Sequence, residues 1–145
     1  MTGCNPLNLL RDESGSMAIE FALLVPALVA MLLGVFQIGM TMHSYNAMRS
    51  AAADIARYTV VQYQNGSFRD TNDLTTTARS IATAAPYSLD TSRLSKAQVT
   101  RSQVQRVAGT TEMQVSLVYR SPSVMNLIGV SDITLTFSQP VFLVE

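Results

Sequence analysis

Glu20 is the only charged side chain between Gly15 and Gly39, and from Phe21 to Phe36 no polar side chain interrupts the run. A carboxylate inside a bilayer costs several kcal/mol unless it is paired or lies near an interface. Two settings satisfy it. At headgroup level, at a helix start, water and the helix dipole keep it charged. Deeper in the membrane it needs a cationic partner, such as the free amine at the start of a neighbouring chain. The other candidate groups are isolated. His43, the single histidine, stands just past the apolar run with no second His or Cys, and reads as an interfacial polar residue. Cys4 is the single cysteine, which excludes an internal disulfide or a cysteine-based metal site. An acylated-cysteine reading does not fit, because the apolar stretch follows Cys4 instead of preceding it. No Gly-x-Ser-x-Gly elbow and no phosphate-binding glycine loop occur. The run Asp70-Thr71-Asn72-Asp73 lacks the closing Gly and Glu of a calcium loop and reads as helix capping. No catalytic residue, metal site or cofactor is therefore expected.

The elements that must place Glu20 follow from the pattern around it. The stretch Met17–Met40 is long enough to span a bilayer as a helix, which takes about 20 residues. Beyond it, Thr41 to Gln64 contains no Pro and no Gly. Tyr45, Met48, Ala52, Ile55 and Thr59 share one face, while Arg49, Ser50, Asp54 and Arg57 lie largely elsewhere. A continuous helix from Ser16 to Gln64, about 70 Å long at 1.5 Å per residue, is predicted to stop at Asn65-Gly66. Pro26 removes one backbone hydrogen bond and crowds the preceding turn, so a kink is expected there.

Of the 145 residues, roughly a hundred lie outside the membrane segment, enough for one small core. Ten basic and ten acidic residues balance, so no basic field argues for nucleic acid. Residues 1–15 form a short polar leader in which Arg11 is opposed by Asp12 and Glu13. A signal peptide has a basic start, a shorter apolar core and then a cleavage site; here the polar part comes first and the apolar run is too long. The leader is therefore either removed ahead of the apolar run or left in place on an uncleaved anchor.

A second helix is predicted from Thr71 to Ala85, capped within Asp70–Asp73 and ended by Pro86, with Leu74, Ala78, Ile81, Ala82 and Ala85 as its apolar stripe. Residues 87–96 read as turns. Three strands follow. Gln98–Val107 is a polar candidate. Glu112–Arg120 places Met113, Val115, Leu117 and Tyr119 on one side. Ile133–Val144 places Ile133, Leu135 and Phe137 on one face, with Pro140 marking an edge or bulge. Between the last two, Val124, Met125, Leu127 and Ile128 form a short helical turn closed by Gly129. The fold class is α+β: a long N-terminal membrane-spanning helix followed by a small head with one helix on an antiparallel sheet. Its divisions are 1–15, 16–65 and 66–145. The expected core is Leu74, Ile81, Val115, Leu117, Ile133, Leu135 and Phe137, with Leu127 or Ile128.

The stretch Gly15-Ser-Met-Ala-Ile-Glu20-Phe-Ala-Leu-Leu-Val-Pro26 resembles the start of TadE-like pseudopilins, the minor pilins of the tight-adherence (Tad, Flp) branch of type IV pili. The pattern is a Gly, four small or apolar residues, Glu-Phe-Ala, and a Pro six residues after the Glu. Leu9-Leu10-Arg11-Asp12-Glu13-Ser14-Gly15 is similar to the family's leader. The resemblance is strong over residues 9–57 and less specific in the closing strands. It implies that a prepilin peptidase cuts between Gly15 and Ser16, making Glu20 the fifth mature residue. At that position pilins pair with a neighbour's amino terminus, with Phe21 beside it. It also implies as partners other pilins and minor pilins, an inner-membrane assembly platform and inner-membrane lipid. The amino terminus would be cytoplasmic and the head periplasmic or carried into a pilus. The rival expectation is an uncleaved single-pass anchored adaptor or sensor with a periplasmic binding head.

Overall fold

A computed structural model of the chain describes residues 13–67 and 70–144. The first element, α1, runs from Glu13 to Gln64 and contains Pro26. The helix continues through that proline, whose ring nitrogen has no hydrogen to offer the Ala22 carbonyl. The C-terminal end follows the expected stop signal. Gly66 has φ +65°, its N–H donates to the Tyr63 carbonyl (3.1 Å), and the Ser67 N–H donates to the Gln62 carbonyl (3.1 Å). These two bonds satisfy carbonyls that a helix end otherwise leaves open, in the pattern a left-handed glycine allows.

The chain divides into two compact units, one ending at Phe36 and one beginning at Gln37. The first contains the N-terminal part of α1. Its apolar side chains are bare: Met17, Phe21, Leu28 and Met31 are each more than 60% exposed. By length and composition α1 can cross a membrane.

The second unit contains the rest of α1, a helix α2 (Thr71–Thr83), and strands β1 (Leu94–Arg101), β2 (Thr110–Ser121) and β3 (Ile133–Val144) in a three-stranded antiparallel sheet of order β1-β2-β3. A 3₁₀ turn, Met125–Ile128, closes on Gly129 at φ +82°. This is the α+β arrangement expected from the sequence. Along β2, Met113, Val115, Leu117 and Tyr119 are all buried, as their alternation requires. Their partners in register fall on the same face: Val99 opposite Val115 and Ala97 opposite Leu117 on β1, Val141 opposite Met113 on β3. The core is closed by Leu74, Ala78 and Ala82 of α2 and by Met48, Ala51, Ala52 and Ile55 of α1. Tyr45 meets Phe137 edge-on, ring centroids 6.0 Å apart, a favoured aromatic geometry.

Several expectations need correction. The first strand begins at Leu94, four residues earlier than predicted, and ends at Arg101, inside the predicted range. Leu94 and Ala97 both face the core although they are an odd three positions apart, because the register shifts between Leu94 and Lys96. Such a bulge breaks the two-residue alternation that marks a strand in sequence. The segment 87–96 also buries Leu89 and Leu94, so it is not wholly turn. Helix α2 ends at Thr83, and Ala85 is exposed outside it. Ile81, Leu135 and Phe137 border the core only partly buried, and Ile133 is 40% exposed. The alternation along β3 identifies the inward face correctly, but burial is complete only at its far end, at Val141 and Leu143. Pro140, by contrast, meets its expectation: it lies on an edge strand, in register with Gln114 and without a bulge. The side chains of Leu127 and Ile128, and residues 1–12 of the leader, lie outside the described residues.

Candidate assembly site

The residues singled out by the sequence, Gly15, Ser16, Glu20, Phe21 and Pro26, all lie on α1, in its first unit. Helical spacing places Ser16 and Glu20 one turn apart on the same face. The Ser16 hydroxyl donates to Glu20 Oε1 at 3.5 Å, the outer limit of a hydrogen bond. Glu20 is exposed, so most of its capacity to accept stays open. Phe21 is 69% exposed beside it. Among the described residues, a Cβ built at Gly15 meets no atom within 4 Å beyond the local helix backbone. The same holds at Gly34 and Gly39, so among the described residues no neighbour requires glycine at either position. Chemically the arrangement is an open carboxylate on an apolar helix, suited to accept from a cationic donor supplied from outside the chain.

The sequence reading passed over Gln37. In the second unit its side chain is 3% exposed. Its Nε2 donates to the Pro122 carbonyl at 3.1 Å and to Thr41 Oγ1 at 3.3 Å, while its Oε1 accepts from the Val124 N–H at 3.0 Å. The amide thus reads both a donor and an acceptor of the backbone that leads into the 3₁₀ turn. The other end of that loop is held by Asp132, which accepts from Asn126 Nδ2 (3.0 Å) and pairs with Arg93 (3.2 Å). The available signal was a lone amide within an otherwise apolar stretch, between Phe36 and Ile38. Gln37→Leu is expected to strand the Val124 N–H and the Pro122 carbonyl. That costs about 1–3 kcal/mol. The check is hydrogen exchange on the full chain in detergent, where the Val124 amide should exchange faster than in the parent.

His43 is exposed and lines a shallow groove with Asn46, Ala47, Ser50, Pro86 and Tyr87. No group of three or more metal-ligating side chains occurs among the described residues. Tyr87 donates its phenol to Asp54 Oδ2 at 2.5 Å, tying the segment after α2 to α1. That bond, helped by desolvation and by the Asp54 charge, holds the Tyr87 phenol above its ordinary pKa. The neutral form is then favoured more in the folded chain than in the unfolded one. Its contribution is full below the unfolded value of about 10 and is lost as pH rises through the folded value. An alkaline titration of the Tyr87 ring by NMR should find its midpoint above that of free tyrosine, and Asp54→Asn should bring it down.

The chain thus combines an apolar helix long enough to cross a membrane with a small α+β head whose core the same helix helps to build. A family model described as TadE-like protein matches residues 15–57, consistent with a TadE-like protein of the Tad system. The matched residues include Gly15, Glu20, Pro26 and Gln37, and stop within the core-forming part of α1. No curated protein and no solved structure matches the chain.

Proposed function

We propose that this chain is a minor pilin, or pseudopilin, that supports assembly of a Tad (Flp) type IV pilus by helix packing and surface presentation. The observation that carries the reading is Glu20: the one charged side chain between Gly15 and Gly39, exposed, five residues beyond Gly15, within the segment that matches the TadE-like model. In this reading residues 1–15 are a leader removed by a prepilin peptidase between Gly15 and Ser16. Residues 16–65 join a bundle of pilin helices, and residues 66–145 form the presented head, whose core also uses Met48–Ile55 of the helix. The new amino terminus at Ser16 lies one helical turn from Glu20 of its own chain, and Glu20 pairs with the amine of a neighbour. Pro26 bends or loosens the helix to fit that bundle. The partners are the peptidase, the other pilins and minor pilins, the inner-membrane assembly platform and the surrounding lipid. The protein acts by packing and catalyses nothing; the TadE-like pilins are not an enzyme family.

The test is the mature amino terminus. Mass spectrometry of protein extracted from membranes of a piliated strain should find Ser16 as the first residue, and Gly15→Leu should leave the full-length form accumulating. An intact Met1 or Thr2 in such a strain overturns the proposal and leaves the uncleaved anchored adaptor.

A further inference from the structure

We infer that Asn65 is a site of spontaneous covalent modification, deamidation through a cyclic imide formed with Gly66. Asn65-Gly66 is the only Asn-Gly pair in the chain; Asn5, Asn8, Asn46, Asn72 and Asn126 precede Pro, Leu, Ala, Asp and Leu. Glycine has no side chain to shield its amide nitrogen from the asparagine side chain. A Cβ built at Gly66 meets no atom within 4 Å, and both residues are exposed, so water reaches the pair freely. The Asn65 backbone is held at both ends: its N–H donates to the Val61 carbonyl (3.0 Å) and its own carbonyl accepts from the Ser67 hydroxyl (3.5 Å). Its side-chain amide has no hydrogen-bond partner within the described residues. The one bond that must open is the Gly66 N–H to the Tyr63 carbonyl, 3.1 Å long, in the final turn of α1. Helix ends open at far lower cost than a core.

The step balances with water as the only other reactant. The deprotonated Gly66 nitrogen attacks Asn65 Cγ, a C–N bond forms, and the side-chain nitrogen leaves as ammonia. Water then opens the imide at either carbonyl, giving aspartate or isoaspartate. The consequence is electrostatic as well as covalent. The last turn of α1 has no basic residue, so a new carboxylate there sits at the negative end of the helix dipole without compensation. The isoaspartate product also adds a methylene to the main chain where the two capping bonds close.

The experiment uses the full chain in detergent, incubated at mildly alkaline pH and digested for mass spectrometry. The peptide holding Asn65 should gain the mass of amide-to-acid conversion progressively. The other five asparagines should stay unmodified, and an isoaspartate-specific methyltransferase should label the product. Gly66→Ala should remove most of the conversion, with circular dichroism reporting whether its left-handed position still folds. Asn65→Gln, which leaves the backbone alone, should abolish it. If Asn65 converts in the denatured chain but stays intact in the folded one, the capped turn protects it and the inference is overturned.

Discussion

Val115→Asp unfolds the head. Val115 is fully buried at the centre of β2, opposite Val99 on one side and Gln139 on the other. Among the described residues, the side chains of the core cluster around it are apolar or, at Tyr119, aromatic, and offer no cation. An uncompensated buried carboxylate costs about 3–5 kcal/mol, and a small domain has only about 5–15 kcal/mol in all. Circular dichroism of a soluble fragment covering residues 37–145 should show a cooperative melt for the parent and none for Val115→Asp. Leu117→Asp should behave the same way, because Leu117 is equally buried. Ile133→Asp, at a position 40% exposed, should melt close to the parent. Equal melting of all three variants would mean that the buried face has been assigned to the wrong side of the sheet.

On the proposed function, Glu20→Ala should leave the protein inserted and processed but keep it out of the pilus. Insertion does not suffer, since Glu20 is the only charge between Gly15 and Gly39 and removing it lowers the cost of placing that stretch in lipid. Assembly should lose the proposed pair between Glu20 and a neighbour's amine, about 3 kcal/mol when one partner of a buried pair is removed. That corresponds to a factor on the order of a hundred in association. Glu20→Gln should share the defect, because the amide keeps the shape and loses the charge. Immunoblots of membrane and sheared-pilus fractions separate the steps: mature protein should remain in the membrane and vanish from the pili. Normal piliation in both variants would leave Glu20 as a solvated charge at a helix start.

How much of this could be read from the sequence depends on whether a local pattern carried the information. The end of α1 was legible because Gly66 must take a left-handed conformation, and a glycine after a long periodic stretch announces that. The limits of β3 and the buried face of β2 were legible because alternation is a local property. The start of β1 was not, since the shift between Leu94 and Lys96 conceals the alternation. Nor was the extent of burial along β3 visible: Ile133 and Val141 share a face, but only the second is fully covered. Within the candidate site, Glu20 stood out because a charge in an apolar run is costly. Gln37 did not, because its two backbone partners lie 85 and 87 residues away in sequence. No local spacing records such a contact.

The shared core of α1 and the sheet has a consequence for the order of events during synthesis. Met48, Ala51, Ala52 and Ile55 emerge from the ribosome well before Val115, Leu117, Val141 and Leu143, with which they share one cluster. Domains are completed as their last segments appear, and apolar surface left bare in the meantime is prone to association. The apolar stripe of α1 is therefore the earliest part of the head to exist and the last to be covered. A holdase that recognises an amphipathic helix, or the membrane surface itself, has its window of action here, and that window closes when β2 and β3 arrive.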